Sequence, residues 1–392
     1  MKWCLTVSVL ICLTNAFGQL KSIYKTEPNT GHYESKQEDA IFHNGFFYLA
    51  GASDDNIYEE PAIYKVDAEG NLIWTSTYVN EAYPELPFPN VHPIMASVNF
   101  LADGLYAFSD KELWKLDTLT GQLIWKLPIN TYEQTGYGYY FKYLKDFNEE
   151  HFIFFNNTKI EIRRYDTGAL VNEYANPDTQ NDWKMFALDN EKNIYFAKGD
   201  SVVKYDSAFH WQWSTFIKNN AKISYIAYHL GSQKIIITPS ALPWVYTVSP
   251  ETGQVLTSLK LGQSAESGIV LKSELQEQDA VYLLWRHSSF QGDGVLVTKL
   301  NPSTGDTLWH RKFIFDHDPY VTVQFDIEEE NISIAAIEQV DLQQSVELKI
   351  LKLNKFTGDI EFSKNYFKNN GLSSLKANSI KTIGKQLYVP CY

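Results

Sequence analysis

Apolar and polar residues alternate in short stretches along most of the chain, and small polar turns separate the stretches. At Ile63–Val66, for example, the alternation would place successive side chains on opposite sides of a strand. β-Branched and aromatic residues dominate these stretches, and sustained helical spacing is absent beyond the N-terminal region. The pattern therefore predicts an all-β protein.

One strand–turn–strand pattern recurs along the chain, most clearly at Val66–Trp74, Leu116–Trp125 and Leu300–Trp309. Asp or Asn opens each turn because it can accept backbone hydrogen bonds, and glycine follows because it tolerates positive φ. Weaker copies begin at Tyr165, Tyr205, Val248 and Leu353. The glycine position is held by Gly70, Gly121, Gly168, Phe209, Gly253, Gly305 and Gly358, which are 41 to 53 residues apart. Because Phe209 replaces glycine, we expect a different type of turn there.

Two further apolar stretches precede each copy, such as Ala40–His43 and Gly45–Ala52 before the first. Four short strands in roughly 40–50 residues match the size of one propeller blade. A β-solenoid needs a shorter repeat, and a sandwich or barrel does not need seven related hairpins. We predict a β-propeller of four-stranded blades, with seven complete units in a single domain that spans residues 19–392.

Both ends of the chain carry distinct signals. A basic start, the apolar run Cys4–Leu13 and small residues before Gln19 predict a signal peptide at residues 1–18. The protein is then secreted, periplasmic or located at the cell surface, and its low cysteine content favours a bacterial source. Residues 379–389 resemble the first two strands of another unit, and Gln19–Lys25 resembles an outer strand. We expect the two ends to pair as a composite eighth blade; the alternative is a truncated reading frame.

The pattern apolar-Asp-x-x-Thr-Gly-x-x-apolar-Trp resembles the repeat of the pyrroloquinoline-quinone-like, or quinoprotein alcohol dehydrogenase-like, propeller superfamily. The resemblance runs from about Asp39 to Tyr366. It implies the propeller fold, and because many members bind no quinone and act as scaffolds, it favours the non-enzymatic type. Quinone enzymes of the superfamily commonly use an adjacent cysteine pair and a calcium ion, and this sequence has no Cys-Cys. We predict no cofactor; the alternative is pyrroloquinoline quinone (PQQ) with calcium.

Charge and cysteine content limit the partners. The formal net charge of −13 disfavours nucleic acid and anionic membranes as partners, since both attract cationic surfaces. The apolar N-terminal run is too short to span a bilayer, so no membrane insertion is expected. Removal of the signal peptide would leave Cys391 as the single cysteine, which excludes an intrachain disulfide. We expect a monomer.

Sequence motifs of common enzymes are missing, including Gly-x-Ser-x-Gly, His-Glu-x-x-His and a phosphate-binding loop. The densest group of possible metal ligands is Asp316–Asp318, which we interpret as a polar turn before Pro319. No metal site is predicted. A binding function is favoured over catalysis; the alternative is a quinone-dependent oxidoreductase or a polysaccharide-active enzyme that uses the axial channel.

The loops opposite the Asp–Gly turns are long and rich in aromatic residues. Recognition residues concentrate on loops that a rigid scaffold holds, and aromatic rings can stack on sugars. We therefore predict that this face binds a protein or a glycan; the alternative is that the aromatic rings pack beneath their own loops. The candidate residues are Tyr58, Tyr83, Phe88, His92, Tyr132, Tyr137, Tyr139, Arg286, His287, Phe290 and His317.

Overall fold

A computed structural model describes residues 10–14, 20–22, 37–54, 59–77, 97–108, 112–128, 143–155, 159–175, 186–217, 222–239, 244–261, 267–274, 280–288, 294–314, 323–339, 346–369, 380–383 and 386–391. These ranges contain strands and turns and no helix, so none of them holds a helix that could cross a membrane. The chain divides into two compact units, Met1–Glu173 with Ser374–Tyr392, and Tyr174–Ser373.

The first unit begins with two short strands and continues with three antiparallel four-stranded sheets. Strands β1 and β2 are Leu10–Thr14 and Leu20–Ser22. Blade 1 contains β3 (Gln37–His43), β4 (Phe46–Asp54), β5 (Glu59–Asp67) and β6 (Leu72–Thr77). Blade 2 contains β7 (Ser97–Leu101), β8 (Gly104–Phe108), β9 (Glu112–Leu116) and β10 (Leu123–Pro128). Blade 3 contains β11 (Tyr143–Asp146), β12 (His151–Phe155), β13 (Lys159–Arg164) and β14 (Leu170–Ala175), and the boundary between the units lies within β14.

The second unit contains four more sheets of the same kind. Blade 4 contains β15 (Phe186–Leu188), β16 (Ile194–Lys198), β17 (Ser201–Tyr205) and β18 (Trp211–Phe216). Blade 5 contains β19 (Ile223–His229), β20 (Lys234–Pro239), β21 (Trp244–Val248) and β22 (Val255–Lys260). Blade 6 contains β23 (Ser267–Glu274), β24 (Val281–Ser288), β25 (Gly294–Leu300) and β26 (Thr307–Ile314). Blade 7 contains β27 (Val323–Ile327), β28 (Asn331–Gln339), β29 (Val346–Asn354) and β30 (Ile360–Asn369).

An eighth four-stranded sheet joins the two ends of the chain in the order β2-β1-β32-β31, where β31 is Lys381–Ile383 and β32 is Gln386–Cys391. The predicted β-propeller of seven units with a composite eighth sheet is confirmed. The strand that pairs with β32 differs from the expected one, however. Leu10 lies opposite Cys391 in β32, so the pairing strand comes from the predicted signal peptide, and Leu20–Ser22 pairs with β1 instead.

The core of each unit lies between neighbouring blades. Between blades 1 and 2, Trp74 and Ile63 pack with Leu105 and Trp114 in one buried cluster. This arrangement follows from the alternation in the sequence, because each middle strand sends side chains to both faces of its blade. The tryptophan that recurs in the repeat therefore fills the space between neighbouring sheets at Trp74.

The seven repeated turns all join the third and fourth strands of a blade. At the fourth turn, Phe209 has φ 62° and its N–H donates to the Asp206 carbonyl at 2.9 Å. Gly70 makes the same bond to Asp67 at 3.1 Å, whereas in the other five copies the glycine N–H, as at Gly121, donates to the carbonyl four residues earlier. The expected difference in turn type is therefore confirmed relative to those five copies, and the first copy shares the turn of the fourth. The Phe209 ring stacks on Tyr174 at 3.5 Å between ring centroids, and this contact offsets the cost of positive φ for a bulky residue.

A small apolar cavity separates blades 5 and 6. Its lining includes Thr257, which stands four residues after the turn glycine, where four other copies have tryptophan. Thr247 also lines it, at a position where most copies have lysine, and the two threonine hydroxyls are 2.6 Å apart. The cavity is therefore the space that a lysine–tryptophan pair fills elsewhere in the chain.

Restoring that pair should stabilise the protein. The double variant Thr247→Lys/Thr257→Trp should raise the free energy of unfolding by about 1 kcal/mol, because it buries an indole and gives both new donors the Pro302 carbonyl as acceptor. Thr257→Trp alone should gain less, since it removes the hydroxyl partner of Thr247. Denaturant unfolding of both single variants and the double variant measures the coupling. A double variant less stable than either single variant would contradict this explanation of the cavity.

Candidate functional site

The residues predicted to bind a ligand lie almost entirely outside the described ranges. Tyr58, Tyr83, Phe88, His92, Tyr132, Tyr137, Tyr139, Phe290 and His317 all belong to this group. Arg286 and His287 lie on β24, opposite Ile269 and Gly268 of β23, whereas the sequence placed them at the start of a loop. The binding role of all these residues stays a prediction.

At the other end of the strands, the described turns form a surface in each unit, which we call the turn face of that unit. It consists of the turns that join the first to the second strand and the third to the fourth strand of each blade. Both kinds of turn lie at the same end of a blade because successive strands run antiparallel. Within each unit, these turns are positioned by contacts from the preceding blade.

Lysine and tryptophan side chains fix the turns through a shared acceptor. Lys65 Nζ and Trp74 Nε1 donate to the Thr118 carbonyl in the turn of the next blade, at 2.7 and 3.3 Å. Lys115 and Trp125 donate in the same way to the Tyr165 carbonyl, at 3.0 Å each. In the second unit, the equivalent bonds run from Lys204 and Trp213 to Pro250, at 2.9 and 3.2 Å. The turn carbonyls are therefore held rigidly by side chains of the preceding blade.

A buried polar network accompanies one of these contacts. The Lys115 ammonium pairs with the Asp103 carboxylate, which also accepts a 2.8 Å hydrogen bond from the Tyr106 hydroxyl. Tyr165 donates in turn to Asp146. Burial and these carboxylate contacts raise the pKa values of Tyr106 and Tyr165 far above the usual tyrosine range. Both phenols stay protonated near neutral pH, so neither tyrosine acts as a general base and each serves as a hydrogen-bond donor.

The aspartates that open the turns order their own loops. Asp117 accepts hydrogen bonds from the Leu119 and Thr120 backbone N–H groups at 2.9 and 2.7 Å, and the bonds from Thr120 do most to lower its pKa. At the third turn, Arg164 lowers the pKa of Asp166 to about 2. Each turn therefore presents its tip in one conformation.

Large apolar side chains protrude from these ordered tips. Leu119 is 78% exposed in the first unit and Phe356 is 63% exposed in the second. They occupy the same position of the repeated turn, two residues before the glycine, and the N–H of each donates to the side chain that opens the turn. Leu230, on a turn between first and second strands, is 59% exposed. Exposed side chains of this size at rigid positions are typical of recognition surfaces.

Exposed carboxylates also lie on the described turns of both units. The exposed acidic residues of the described turns include Glu69, Glu149, Glu150 and Asp166 in the first unit, and Glu191, Glu251, Asp306, Glu329, Glu330 and Asp359 in the second. Asp166 and Asp359 are paired with Arg164 and Arg311. The described turn lysines of the second unit, Lys192, Lys234 and Lys355, are only partly exposed. The described turns therefore carry an excess of negative charge in addition to the apolar anchors.

The described residues give little support to catalysis. No group of three or more His, Cys, Asp or Glu side chains within them could hold a metal ion. Burial lowers the pKa of Lys145 on β11 to about 8, which would make it a better nucleophile. Its partner across the sheet, however, is the apolar Ile153. The shift alone does not define a reaction.

Comparison with known proteins identifies structures of similar fold but no family. No protein-family model matches the sequence, and no curated protein matches it. Hsv2 from Kluyvelomyces marxianus is similar in structure, with TM-score 0.51, 8% identity and coverage of 84% of this chain and 99% of that one. KlHsv2 with loop 6CD replaced by a Gly-Ser linker gives TM-score 0.52, 8% identity and coverage of 86% and 99%. The WD40 domain of SCAP from fission yeast gives TM-score 0.51, 11% identity and coverage of 91% and 96%.

These similarities show the β-propeller fold alone. Membership of the pyrroloquinoline-quinone-like superfamily stays a prediction. The exposed anchors Leu119 and Phe356 were missed from the sequence because an apolar residue within a polar turn has no periodic signal. Their equivalent positions, two residues before the glycine, would have identified them once the repeats were aligned.

Proposed function

We propose that this protein is an exported β-propeller scaffold that binds a basic protein partner through its turn face. The β-propeller fold is typical of protein-binding scaffolds. The observation that carries the proposal is one exposed anchor on the turn face of each unit, Leu119 in the first and Phe356 in the second, each on a turn that hydrogen bonds hold in place. Rigid anchors bind well because little conformational entropy is lost on association.

The chemistry of the turn face defines the partner. An apolar side chain of the partner would contact Leu119 or Phe356, and flanking Lys or Arg residues would meet the exposed carboxylates of the turns. The Phe356 ring is supported from the neighbouring blade by the Lys299 ammonium, 5.5 Å from the ring centroid. Because most of these charges are exposed, binding should weaken as salt rises.

Export has a structural consequence at the composite sheet. Removal of residues 1–18 would take away β1, which pairs with five residues of β32 from Leu387 to Cys391. The edge of β32 would then lack a partner, and an unpaired edge favours association with another strand. We propose that residues of β2, freed from β1, pair with β32 in the mature protein.

Capture of a partner by the secreted product tests the proposal. The bait is recovered from the culture medium of a bacterial host, and its mass should correspond to a chain that begins at Gln19. Chemical crosslinking in a bacterial envelope extract should yield a basic partner. The variants Leu119→Ser and Phe356→Ser should each reduce its capture about tenfold, because each removes one apolar anchor.

The matched control is Phe216→Ser. Phe216 is 52% exposed, but it lies at the end of β18 furthest from the turn face. The Phe216→Ser variant should capture as much partner as the wild type does. Added salt should reduce capture by the wild type. Equal capture by wild type, Leu119→Ser and Phe356→Ser would refute the turn-face proposal. Tyr137→Ala/Tyr139→Ala, in the same experiment, tests the aromatic loop face predicted from the sequence.

A further inference from the structure

Trp211 is a large aromatic residue that lies mostly outside the core between the blades. It is 61% exposed and begins β18, the outer strand of blade 4. Packing against the next blade is the role of Trp213, which donates to the Pro250 carbonyl. The other blades begin their outer strands with smaller residues, namely Leu72, Leu123, Leu170, Val255, Thr307 and Ile360.

Blade 1 provides an internal reference for this corner. Its third-to-fourth-strand turn has the same backbone hydrogen bonds, since Asp67 and Asp206 each donate to the carbonyl four residues ahead at 3.0 Å. The positions that hold Asn71, Leu72 and Ile73 in blade 1 hold His210, Trp211 and Gln212 in blade 4. Relative to blade 1, this turn has an indole in place of Leu72 and an amide in place of Ile73, while His210 takes the place of Asn71, whose amide also donates to the turn aspartate at 2.8 Å.

Those polar side chains are held in fixed positions. We call Asp206, His210, Trp211 and Gln212 the blade 4 corner. His210 Nδ1 lies 3.2 Å from Asp206 Oδ2, and Gln212 Nε2 donates to the same oxygen at 3.0 Å. The N–H of His210, which donates to Asp206 Oδ1 at 2.8 Å, is the main cause of the lowered pKa of Asp206. The Asp206 carboxylate therefore stays ionised over a wide pH range, and it holds the His210 and Gln212 side chains in place.

The remaining hydrogen-bonding groups of the corner point to a particular chemistry. Gln212 Nε2 is engaged by Asp206 and by the His210 carbonyl at 3.2 Å, which leaves Gln212 Oε1 as an acceptor. The bond to Asp206 places a His210 proton on Nδ1, which leaves Nε2 as a second hydrogen-bonding atom. An amide oxygen and a ring nitrogen on the two residues that flank an exposed indole in the chain match a ligand with hydroxyl groups and an apolar face.

We propose that the blade 4 corner binds a neutral saccharide. The C–H face of a sugar ring stacks on the Trp211 indole, and hydroxyl groups form hydrogen bonds with Gln212 Oε1 and His210 Nε2. The preorganised Asp206 network lowers the entropic cost of binding. This site is independent of the turn-face anchors Leu119 and Phe356, so it can be correct whether or not those residues bind a protein.

Affinity electrophoresis tests the proposal on the secreted protein, with laminarin, xylan and galactomannan as the soluble probes. The wild type should be retarded by at least one of these polysaccharides. Trp211→Leu, which installs the blade 1 residue, should weaken that binding about tenfold, and Gln212→Ile should weaken it severalfold. The matched control Leu72→Ala changes the equivalent residue of blade 1 and should bind as the wild type does.

Each other outcome overturns the saccharide site. Absence of retardation by all three polysaccharides would do so, and so would equal retardation of wild type and Trp211→Leu. A Trp211→Leu variant that keeps polysaccharide binding but loses capture of the crosslinked partner would assign the corner to protein binding instead. Thermal unfolding of Trp211→Leu should match the wild type, because the exposed indole contributes little to the core.

Discussion

Replacing Lys115 by methionine should lower the free energy of unfolding by about 3 kcal/mol, because it leaves a partly buried carboxylate without its cation. Lys115 is 7% exposed, pairs with Asp103 and donates to the Tyr165 carbonyl. Because methionine keeps most of the apolar part of the lysine side chain, the loss of stability measures the contribution of the ammonium group and its two partners. Denaturant unfolding followed by tryptophan fluorescence measures it.

Lys65 is the matched control because it occupies the same repeat position one blade earlier. It is similarly buried and donates to the Thr118 carbonyl, while its ammonium lies 4.1 Å from the Phe46 ring centroid. Burial lowers the pKa of Lys65, so its charged form is already less favoured than that of an exposed lysine. Lys65→Met should cost about 1 kcal/mol, because one neutral acceptor and the cation–π contact with Phe46 are lost. Equal losses at the two positions would show that Asp103 contributes nothing.

A second variant isolates the carboxylate. Lys115→Met/Asp103→Asn should recover part of the stability lost in Lys115→Met, because an amide in the place of Asp103 carries no uncompensated charge. The Tyr106 hydroxyl can still donate to the amide oxygen at that position. Failure of the double variant to recover any stability would assign the whole loss to the Tyr165 carbonyl.

The sequence was sufficient for the blades because their signals are local. Asp117 and Gly121 lie in one turn, and the hydrogen bond from the Gly121 N–H to the Asp117 carbonyl closes it at 2.8 Å. Turn chemistry of this kind acts over a few residues and repeats in each unit. The order of strands within each blade then follows from short connections.

The contacts between blades were not predicted because their partners lie far apart in sequence. Lys65 and Thr118 are 53 residues apart, and nothing in a carbonyl acceptor distinguishes Thr118 from other residues. One signal did exist: lysine stands two residues before the turn opener in most copies, and blade 5 loses lysine and tryptophan together, as Thr247 and Thr257. Joint loss of two residues from a repeat indicates that they share one function.

In the N-terminal segment, the pattern of apolar residues does not distinguish between two structures. A short apolar run satisfies both the pattern of a signal peptide and that of a buried strand, and Leu10–Thr14 is paired as a strand here. The predicted binding face was inferred from the aromatic content of long loops. Loop composition does not fix which residues meet in space, whereas the short turns that carry Leu119 and Phe356 do so through backbone hydrogen bonds.

Substituting alanine for Gly121 should destabilise the protein by about 4 kcal/mol, from the sum of a positive φ and a steric clash. Gly121 has φ +73°, and a Cβ there would lie 2.7 Å from both Trp74 Cε3 and Ser76 Oγ. Trp74 is fixed by its bond to the Thr118 carbonyl, and Ser76 donates to the Gly121 carbonyl. Neither side chain can retreat without losing a hydrogen bond.

Gly45 separates the two causes. It has φ +85°, but a Cβ at that position would meet no atom within 4 Å. Gly45→Ala should therefore cost only about 1 kcal/mol, the conformational part of the loss. Thermal unfolding of both variants measures the difference. When Trp74 and Ser76, the two residues that a Cβ would meet, are both replaced by alanine, Gly121→Ala should cost no more than Gly45→Ala does. If Gly121→Ala and Gly45→Ala are equally stable, the turn glycine serves backbone geometry alone, and its close packing on the tryptophan of the preceding blade contributes nothing to the way the blades are joined.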